Sequence, residues 1–460
     1  MKNAAPAENK MGVMPVPKLI LNMSLPMILS MLVQALYNVV DSYFVARYAQ
    51  DALTAVSLAF PAQNLMIGVA TGTAVGVNAL LSRALGEKKP ELANRIAENG
   101  VFLAVVGYAV FLLFGLFGVR AFFSAQTGVQ NIVNHGVDYL TVICCFSFGV
   151  FGQIMFERLM QSTGRTIYTM FTQGIGAIIN IILDPIFIFT LKQGARGAAI
   201  ATVIGQIAAF ILAVTLNHLK NDDVKLNLKR FRPDFKIIGR IYAIGVPSIL
   251  MMAIGSIMTF GMNLILITYT AAQELSATVF GVYFKLNSFV FMPVFGLNNG
   301  IIPIVAYNYG ARNRRRMMEA VKMAIIFAAS YIFLGLLAFT LIPGPLLKIF
   351  NASEEMLRVG IPAIRIIGST FLFAGVCIAM GSVFQALGYG TYSMIVSFAR
   401  QLVVLLPSAY ILARIGMNTG IDWLVWLSFP IAEIASLITT LVLFRRLYRN
   451  VIAPLPEGAH

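Results

Sequence analysis

Charged residues are scarce in this chain. Only 12% of its 460 residues are charged, whereas 58% are hydrophobic and the mean hydropathy is +0.81. A soluble domain averages about 25% charged residues, so the composition excludes an ordinary water-soluble protein. Histidine and cysteine are also rare, with 3 of each. The chain has no HExxH, CxxC, Walker A or nucleophile-elbow motif, so we expect no enzyme, no resident cofactor and no direct use of ATP.

The apolar residues instead form twelve long runs. A helix needs about 20 predominantly apolar residues to cross a bilayer, and each run is long enough. The predicted helices cover 18–45, 53–80, 95–118, 135–157, 166–190, 195–216, 238–267, 276–304, 318–342, 357–385, 391–413 and 420–444. We therefore predict an all-α polytopic membrane protein with twelve transmembrane helices.

The basic residues lie mainly on one side of this predicted topology. Counted along alternate loops, 24 of the 34 Lys and Arg residues fall on the side of the N-terminus and 7 on the other. The positive-inside rule then predicts that both termini are cytoplasmic, in a multi-pass protein of the inner membrane. We interpret the net charge of +15 as an orientation signal with secondary contacts to anionic lipids, and we expect no nucleic-acid partner.

An internal repeat divides the chain into halves. An offset of 224 relates Gly72, Gly76 and Gly86 to Gly296, Gly300 and Gly310, and Gln161 and Gly164 to Gln385 and Gly388. An even number of helices per half predicts two parallel six-helix lobes with a binding site between them. The Gly–x3–Gly spacing favours close helix packing. The predicted segments are an N-terminal segment 1–17, an N-lobe 18–216, a loop 217–237, a C-lobe 238–445 and a tail 446–460.

Polar side chains interrupt three helices of the first half. Gln34, Asn38 and Asp41 share one face of the first helix, and Gln173, Asn180 and Asp184 form a stripe on the fifth. Pro185 leaves the carbonyl oxygen of Ile181 without its helical partner. Thr202 lies in the sixth helix.

Several of these groups have matching depths. With a rise of about 1.5 Å per residue, Asp41, Asp184 and Thr202 lie within roughly 6–11 Å of the outer face. Acids at such depth are costly and usually functional. Two carboxylates, the Asn180 amide and a hydroxyl supply the oxygen ligands that a hard cation prefers, and two nearby carboxylates also share protons. The cluster therefore suits Na⁺ or H⁺.

These residues carry a resemblance to a known family. The motifs Leu36–Asp41, Asn180–Phe189, Gly197–Thr202 and Leu85–Glu87 resemble those of the multidrug and toxic compound extrusion (MATE) family. The resemblance implies an exporter that exchanges Na⁺ or H⁺ for small organic, often cationic, drugs or toxins by alternating access. By residue match, Asp41, Asn180, Asp184 and Thr202 form its coupling-cation site, with Na⁺ as the bound metal if Na⁺ couples.

The positions of the acidic residues indicate which branch of the family the chain resembles. A branch of the family carries acids in helices seven and ten, but both are acid-free here, and Asp41 corresponds to Met262 under an offset of 221. The chain therefore resembles the DinF- or MepA-like branch.

A substrate cavity is predicted from the remaining polar, basic and thioether side chains, and we expect a monomer. Its candidate residues are Gln34, Asn38, Gln173, Met27, Met31, Met258, Met262, Lys285 and Arg400. The bases Lys285 and Arg400 leave one alternative open, a flippase of related fold for a lipid or lipid-linked oligosaccharide. For Lys285 and Arg400, two roles remain open: pairing or cavity lining, and snorkelling to an interface.

Overall fold

The computed structural model describes residues 9–227, 229, 231–350 and 352–457, so parts of the predicted segments 1–17 and 446–460 lie outside the described residues. The first half contains α1 (Val16–Tyr48), α2 (Gln50–Gly86), α3 (Pro90–Phe117), α4 (Gln130–Cys145 and Phe148–Ser162), α5 (Thr166–Pro185) and α6 (Gly194–Lys220). The second half contains α7 (Phe235–Tyr269), α8 (Gln273–Gly310), α9 (Arg314–Leu341), α10 (Glu354–Gly368 and Phe371–Ala386), α11 (Gly390–Thr419) and α12 (Ser428–Leu447). Within the described residues, ten helices are long and apolar enough to cross a membrane singly, and counting each bent pair as one span gives twelve. This agrees with the predicted number.

Two spans that the sequence predicts as continuous helices are bent. α4 bends by 44° after Cys145, and α10 bends by 48° after Gly368. At the first bend the Ser147 hydroxyl donates to the carbonyl of Cys144 at 2.8 Å, and at the second the Thr370 hydroxyl donates to that of Ile367 at 3.2 Å. These hydroxyls satisfy carbonyl oxygens that a break would otherwise leave without a donor in the bilayer.

The repeat glycines join the two lobes. α1 packs along α8, and α2 packs along α7. A Cβ added at Gly296 of α8 would lie 2.6 Å from Ile28 Cα of α1, and one at Gly72 of α2 would lie 2.8 Å from the carbonyl oxygen of Gly245 of α7. The predicted close packing is therefore found, and it occurs between lobes. Only glycine permits backbones to approach this closely.

The lobes also meet at the end where α2 and α8 finish. A Cβ at Gly86 would collide with the carbonyl of Tyr307, and one at Gly310 would collide with that of Arg83, which occupies the repeat position of Tyr307. The Arg83 guanidinium lies 4.8 Å from the ring centroid of Tyr309. These contacts hold the two lobes together at this end.

A short N-terminal helix, Lys10–Val13, reinforces the same end. Asn9 donates to the carbonyl of Thr163 in the N-lobe at 3.1 Å, while Asn308 of the C-lobe donates to the carbonyl of Met11 at 3.2 Å. Arg316 of α9 also donates to the carbonyls of Met11 and Met14. The segment before α1 therefore bridges both lobes.

Candidate functional site

A polar cluster forms where α1, α5 and α6 meet. Asp184 lies in the last turn of α5, and one π-helical turn, Ile186–Thr190, follows Pro185. Proline removes a backbone donor, and π turns inside helices occur frequently at functional sites. The local sequence thus loosens the helix next to a buried acid.

The Asn180 amide organises the cluster. Its Nδ2 donates to Asp184 Oδ1 at 3.3 Å and to Thr202 Oγ1 at 3.2 Å. The carboxyl groups of Asp41 and Asp184 lie close enough to interact with each other, and the packing of α1 along α5 brings Asp41 into the cluster. The structure therefore brings together all four side chains predicted as the coupling site.

Three oxygens of this cluster are buried without a hydrogen-bond partner: Asp41 Oδ1, Asn180 Oδ1 and Asp184 Oδ2. Because Asn180 Nδ2 makes two hydrogen bonds, the orientation of its oxygen is fixed. Buried acceptors need a donor or a cation, and adjacent carboxylates repel unless a positive charge lies between them. The cluster is chemically suited to hold one small cation or a proton. Within the described part of the chain, no three His, Cys, Asp or Glu residues group as a transition-metal site would require.

Two tyrosines complete the surroundings of Asp41. The phenol groups of Tyr37 and Tyr139 both lie close enough to interact electrostatically with Asp41 and Asp184. Gln63 of α2 donates to the Tyr139 hydroxyl at 3.1 Å. Sequence reasoning missed Tyr139 because it lies in a different helix, nearly 100 residues away, and no spacing rule connects it to Asp41.

A small cavity of about 120 Å³ continues from this cluster into the N-lobe. Gln34 and Gln173, both predicted as cavity residues, line it together with Asn180 and Thr202. Glu157 lies at the same cavity and accepts hydrogen bonds from Gln153, Thr172 and Gln173 at 3.0, 2.7 and 2.8 Å. α4 continues to Ser162, so Glu157 lies inside the helix, whereas the sequence predicted it at the helix end.

A second cavity, of about 410 Å³, lies in the C-lobe against α2. Arg400 lines it and forms an ion pair with Glu433 of α12, with Nη1 2.7 Å from Oε1. The structure thus shows Arg400 in both parts of the first role left open for it, pairing and cavity lining. Arg158 of α4 reaches the same cavity across the lobe interface and donates to Asn299 of α8 at 2.9 Å.

The remaining predicted cavity residues are dispersed. Met258 and Met262 are buried in the apolar core of the C-lobe, and Met27 is buried where α1 crosses Gly296. Met31 is half-buried and Asn38 is exposed. Lys285 lies with its Nζ 5.9 Å from the ring centroid of Phe350.

A comparison with protein families identifies the family to which this fold belongs. The MatE family model matches residues 26–186 and again 247–411, once in each half. The chain belongs to the MATE family. Its curated relatives include the multidrug export protein MepA of Staphylococcus haemolyticus (strain JCSC1435), 25% identical over 408 residues that cover 88% of this chain and 89% of the relative. The MepA of Staphylococcus aureus (strain MSSA476) is 24% identical over 438 residues, covering 94% and 95%.

Solved structures confirm the MATE fold. A crystal structure of a MATE transporter in complex with MaL6 is 24% identical and superposes with a TM-score of 0.91, covering 97% of this chain and 99% of that one. An outward-facing multidrug resistance MATE transporter gives a TM-score of 0.90 at 24% identity, covering 98% and 99%. The predicted twelve-helix fold, the family and the resemblance to MepA are thus confirmed. This MATE chain is a multi-pass membrane transporter of a multidrug efflux family, and its relatives are exporters.

Proposed function

We propose that this MATE chain is a secondary exporter that exchanges small organic, often cationic, compounds for Na⁺ or H⁺. The observation that carries the proposal is the cluster of Asp41, Asn180, Asp184 and Thr202, with its three buried oxygens that lack partners. These four side chains would form the coupling-cation site, as the sequence predicts. The relatives named as multidrug export proteins support the substrate class.

In alternating access, the two lobes would move against each other at the close glycine contacts of α1 with α8 and of α2 with α7. The lobes meet closely at the end where α2 and α8 finish, and the N-terminal segment bridges them there. By the positive-inside rule, this end and both termini would be cytoplasmic, in the inner membrane. The arrangement would then be outward-facing, like that of the outward-facing multidrug resistance MATE transporter to which the chain is similar. The two rocking bodies would be the predicted lobes 18–216, with α1–α6, and 238–445, with α7–α12.

Coupling would act through α1 and α5. A cation or proton between Asp41 and Asp184 removes their repulsion and lets α1 lie against α5. Without it, the repulsion between the two neighbouring negative charges would push α1 away and disturb the neighbouring cavity with Gln34 and Gln173. Cation binding and substrate binding would thereby compete for one arrangement of α1, which is what antiport requires.

The test is efflux from proteoliposomes under separately imposed pH and Na⁺ gradients. We expect one gradient, or either, to drive export of a cationic dye, and Asp41→Asn and Asp184→Asn to abolish the driven component. Asp138→Asn, an exposed carboxylate of α4, is the matched control and should transport normally. Full gradient-driven export by both site variants would refute the assignment. Transport of a lipid-linked oligosaccharide without any ion gradient would instead establish the flippase alternative.

A further inference from the structure

The C-lobe cavity is distinct from the acidic cluster in position and in charge. It is bounded by α7, α8, α10, α11 and α12, and α2 and the end of α4 close it from the N-lobe side. Met251, Met252, Phe295 and Phe384 provide an apolar wall. Its volume of about 410 Å³ falls within the roughly 300–1,000 Å³ range of small-molecule pockets.

The charge of this cavity comes from Arg158. Arg400 is neutralised by Glu433, but both hydrogen bonds of Arg158 go to neutral groups, Gln161 Oε1 and Asn299 Oδ1, each at 2.9 Å. Among the described residues, no carboxylate lies within 4.0 Å of the Arg158 guanidinium. One positive charge of the cavity wall therefore has no direct ion-pair partner in the part of the chain that the structure describes, although the adjacent Glu157 still attracts it electrostatically.

The neighbouring acid does not supply the missing partner. The Glu157 carboxylate points into the N-lobe, where Gln153, Thr172 and Gln173 donate to both of its oxygens. A carboxylate that already accepts three hydrogen bonds is satisfied where it lies. Arg158 and Glu157 are thus adjacent in sequence but serve opposite lobes.

The free part of the guanidinium faces the cavity. Both observed hydrogen bonds of Arg158 come from Nη1, and its Nε and Nη2 have no hydrogen-bond partner among the described residues. Both atoms keep accessible surface, although Arg158 as a whole is only 7% exposed. Arginine keeps its charge in proteins, and its planar fork matches a carboxylate in bidentate geometry.

We propose that the C-lobe cavity binds amphipathic organic anions, with the acid group on Arg158 and the apolar body against Met251, Met252 and Phe295. The shared chemistry is a single carboxylate, sulfonate or phosphate on a ring or chain of drug size. This proposal goes beyond the exchange of cations and cationic drugs, because it adds a ligand class and a second site.

The experiment uses three probes with one ring system: 1-naphthaleneacetate, its neutral amide and 1-naphthylmethylamine. Binding is measured by calorimetry on the full chain in phosphatidylcholine nanodiscs. We expect the acetate to bind at least about tenfold more tightly than the amide, and Arg158→Gln to remove that preference, a change of about 1.4 kcal/mol. Arg365→Gln, the same substitution on α10 away from the cavity, should leave the preference intact.

A second variant separates an effect on binding from a loss of folding. Asn299→Asp places a carboxylate on the same guanidinium with almost no change in volume, and it should also abolish the preference for the acetate. Nanodiscs containing phosphatidylglycerol distinguish the source of the anion: weaker acetate binding there, only when Arg158 is present, would show that a lipid phosphate takes the site. The proposal is overturned if the acetate binds no better than the amide. It is equally overturned if the preference survives in folded Arg158→Gln and Asn299→Asp proteins. Asp41→Asn should not alter these affinities, so failure here would leave the coupling proposal untouched.

Discussion

The crossing of α8 over α1 offers a direct test of alternating access through the substitution Gly296→Ala. The added Cβ would lie 2.6 Å from Ile28 Cα, 2.7 Å from Ile28 N and 2.9 Å from the carbonyl carbon of Met27. Comfortable carbon contacts are about 3.5–4.0 Å, so the methyl group overlaps three backbone atoms by about 1 Å. Backbone atoms cannot rotate away, so the two helices must separate.

The size of the effect follows from this overlap. Overpacking a tight contact costs about 1–3 kcal/mol, and this cost applies only in the access state in which α8 packs against α1 at this crossing. The gain in helix propensity from Gly to Ala, about 1 kcal/mol, applies in both access states and cancels. Since 1.4 kcal/mol corresponds to a factor of ten, the closed population should fall roughly 5- to 150-fold relative to the open one.

The assay is a distance measurement between spin labels at Glu91 and Arg315, exposed repeat-related positions at the closed end, with the three native cysteines replaced by alanine. We expect Gly296→Ala to shift the distribution toward longer distances. The matched control is Gly281→Ala in the same helix, where an added Cβ has no atom within 4 Å, and its distribution should equal that of the parent. If both variants give the parent distribution while remaining folded, close packing at this crossing does not distinguish the access states.

Two further predictions concern charge. Glu433→Gln leaves Arg400 without its partner in the C-lobe and should destabilise the protein by roughly 3 kcal/mol. This value is the low end for a buried ion pair, because the Arg400 side chain is 30% exposed. In thermal unfolding, adding Arg400→Met should restore stability, and a double variant without such recovery would contradict the argument. Outside the membrane, the backbone N–H of Ile237 and, to a lesser degree, the Arg95 guanidinium hold the pKa of Asp234 below its usual range. Its stabilising effect is therefore present at neutral pH and is lost as the pH falls through that lowered pKa, so Asp234→Asn should lower the melting temperature at neutral pH only, and an equal loss in strong acid would refute this.

The acidic cluster could be predicted from the sequence because it depends on spacing and depth within single helices. Asn180 and Asp184 lie one turn apart, Pro185 follows, and the depth of each residue can be counted from the end of its helix. The glycine spacing likewise predicted close packing. It did not show that the packing partner of each glycine belongs to the other lobe, because a helix face does not identify what it will contact.

Partnerships between distant residues could not be derived. Arg400 and Glu433 lie in different helices, and only the packing of α11 beside α12 brings them to 2.7 Å. The bends in α4 and α10 were also missed, since hydropathy continues across Ser147 and Thr370 without interruption. Predicted cavity residues such as Met258 became core residues because thioethers suit either environment.

The pair Glu157–Arg158 shows how one helix can serve two chemistries. Consecutive residues on an α-helix project about 100° apart, so their side chains face different neighbours. In α4 that rotation directs the acid toward α5 and the base toward α8, although opposite charges next to each other in sequence would attract in isolation. Each is held instead by neutral amides or hydroxyls of its own side, with three bonds to Glu157 and two to Arg158. Burying two such charges apart is costlier than pairing them, and stability alone does not account for this arrangement. The separation favours ligand binding as its explanation: it gives the lining of the N-lobe cavity a carboxylate, and it gives the C-lobe cavity a base that has no direct ion-pair partner among the described residues.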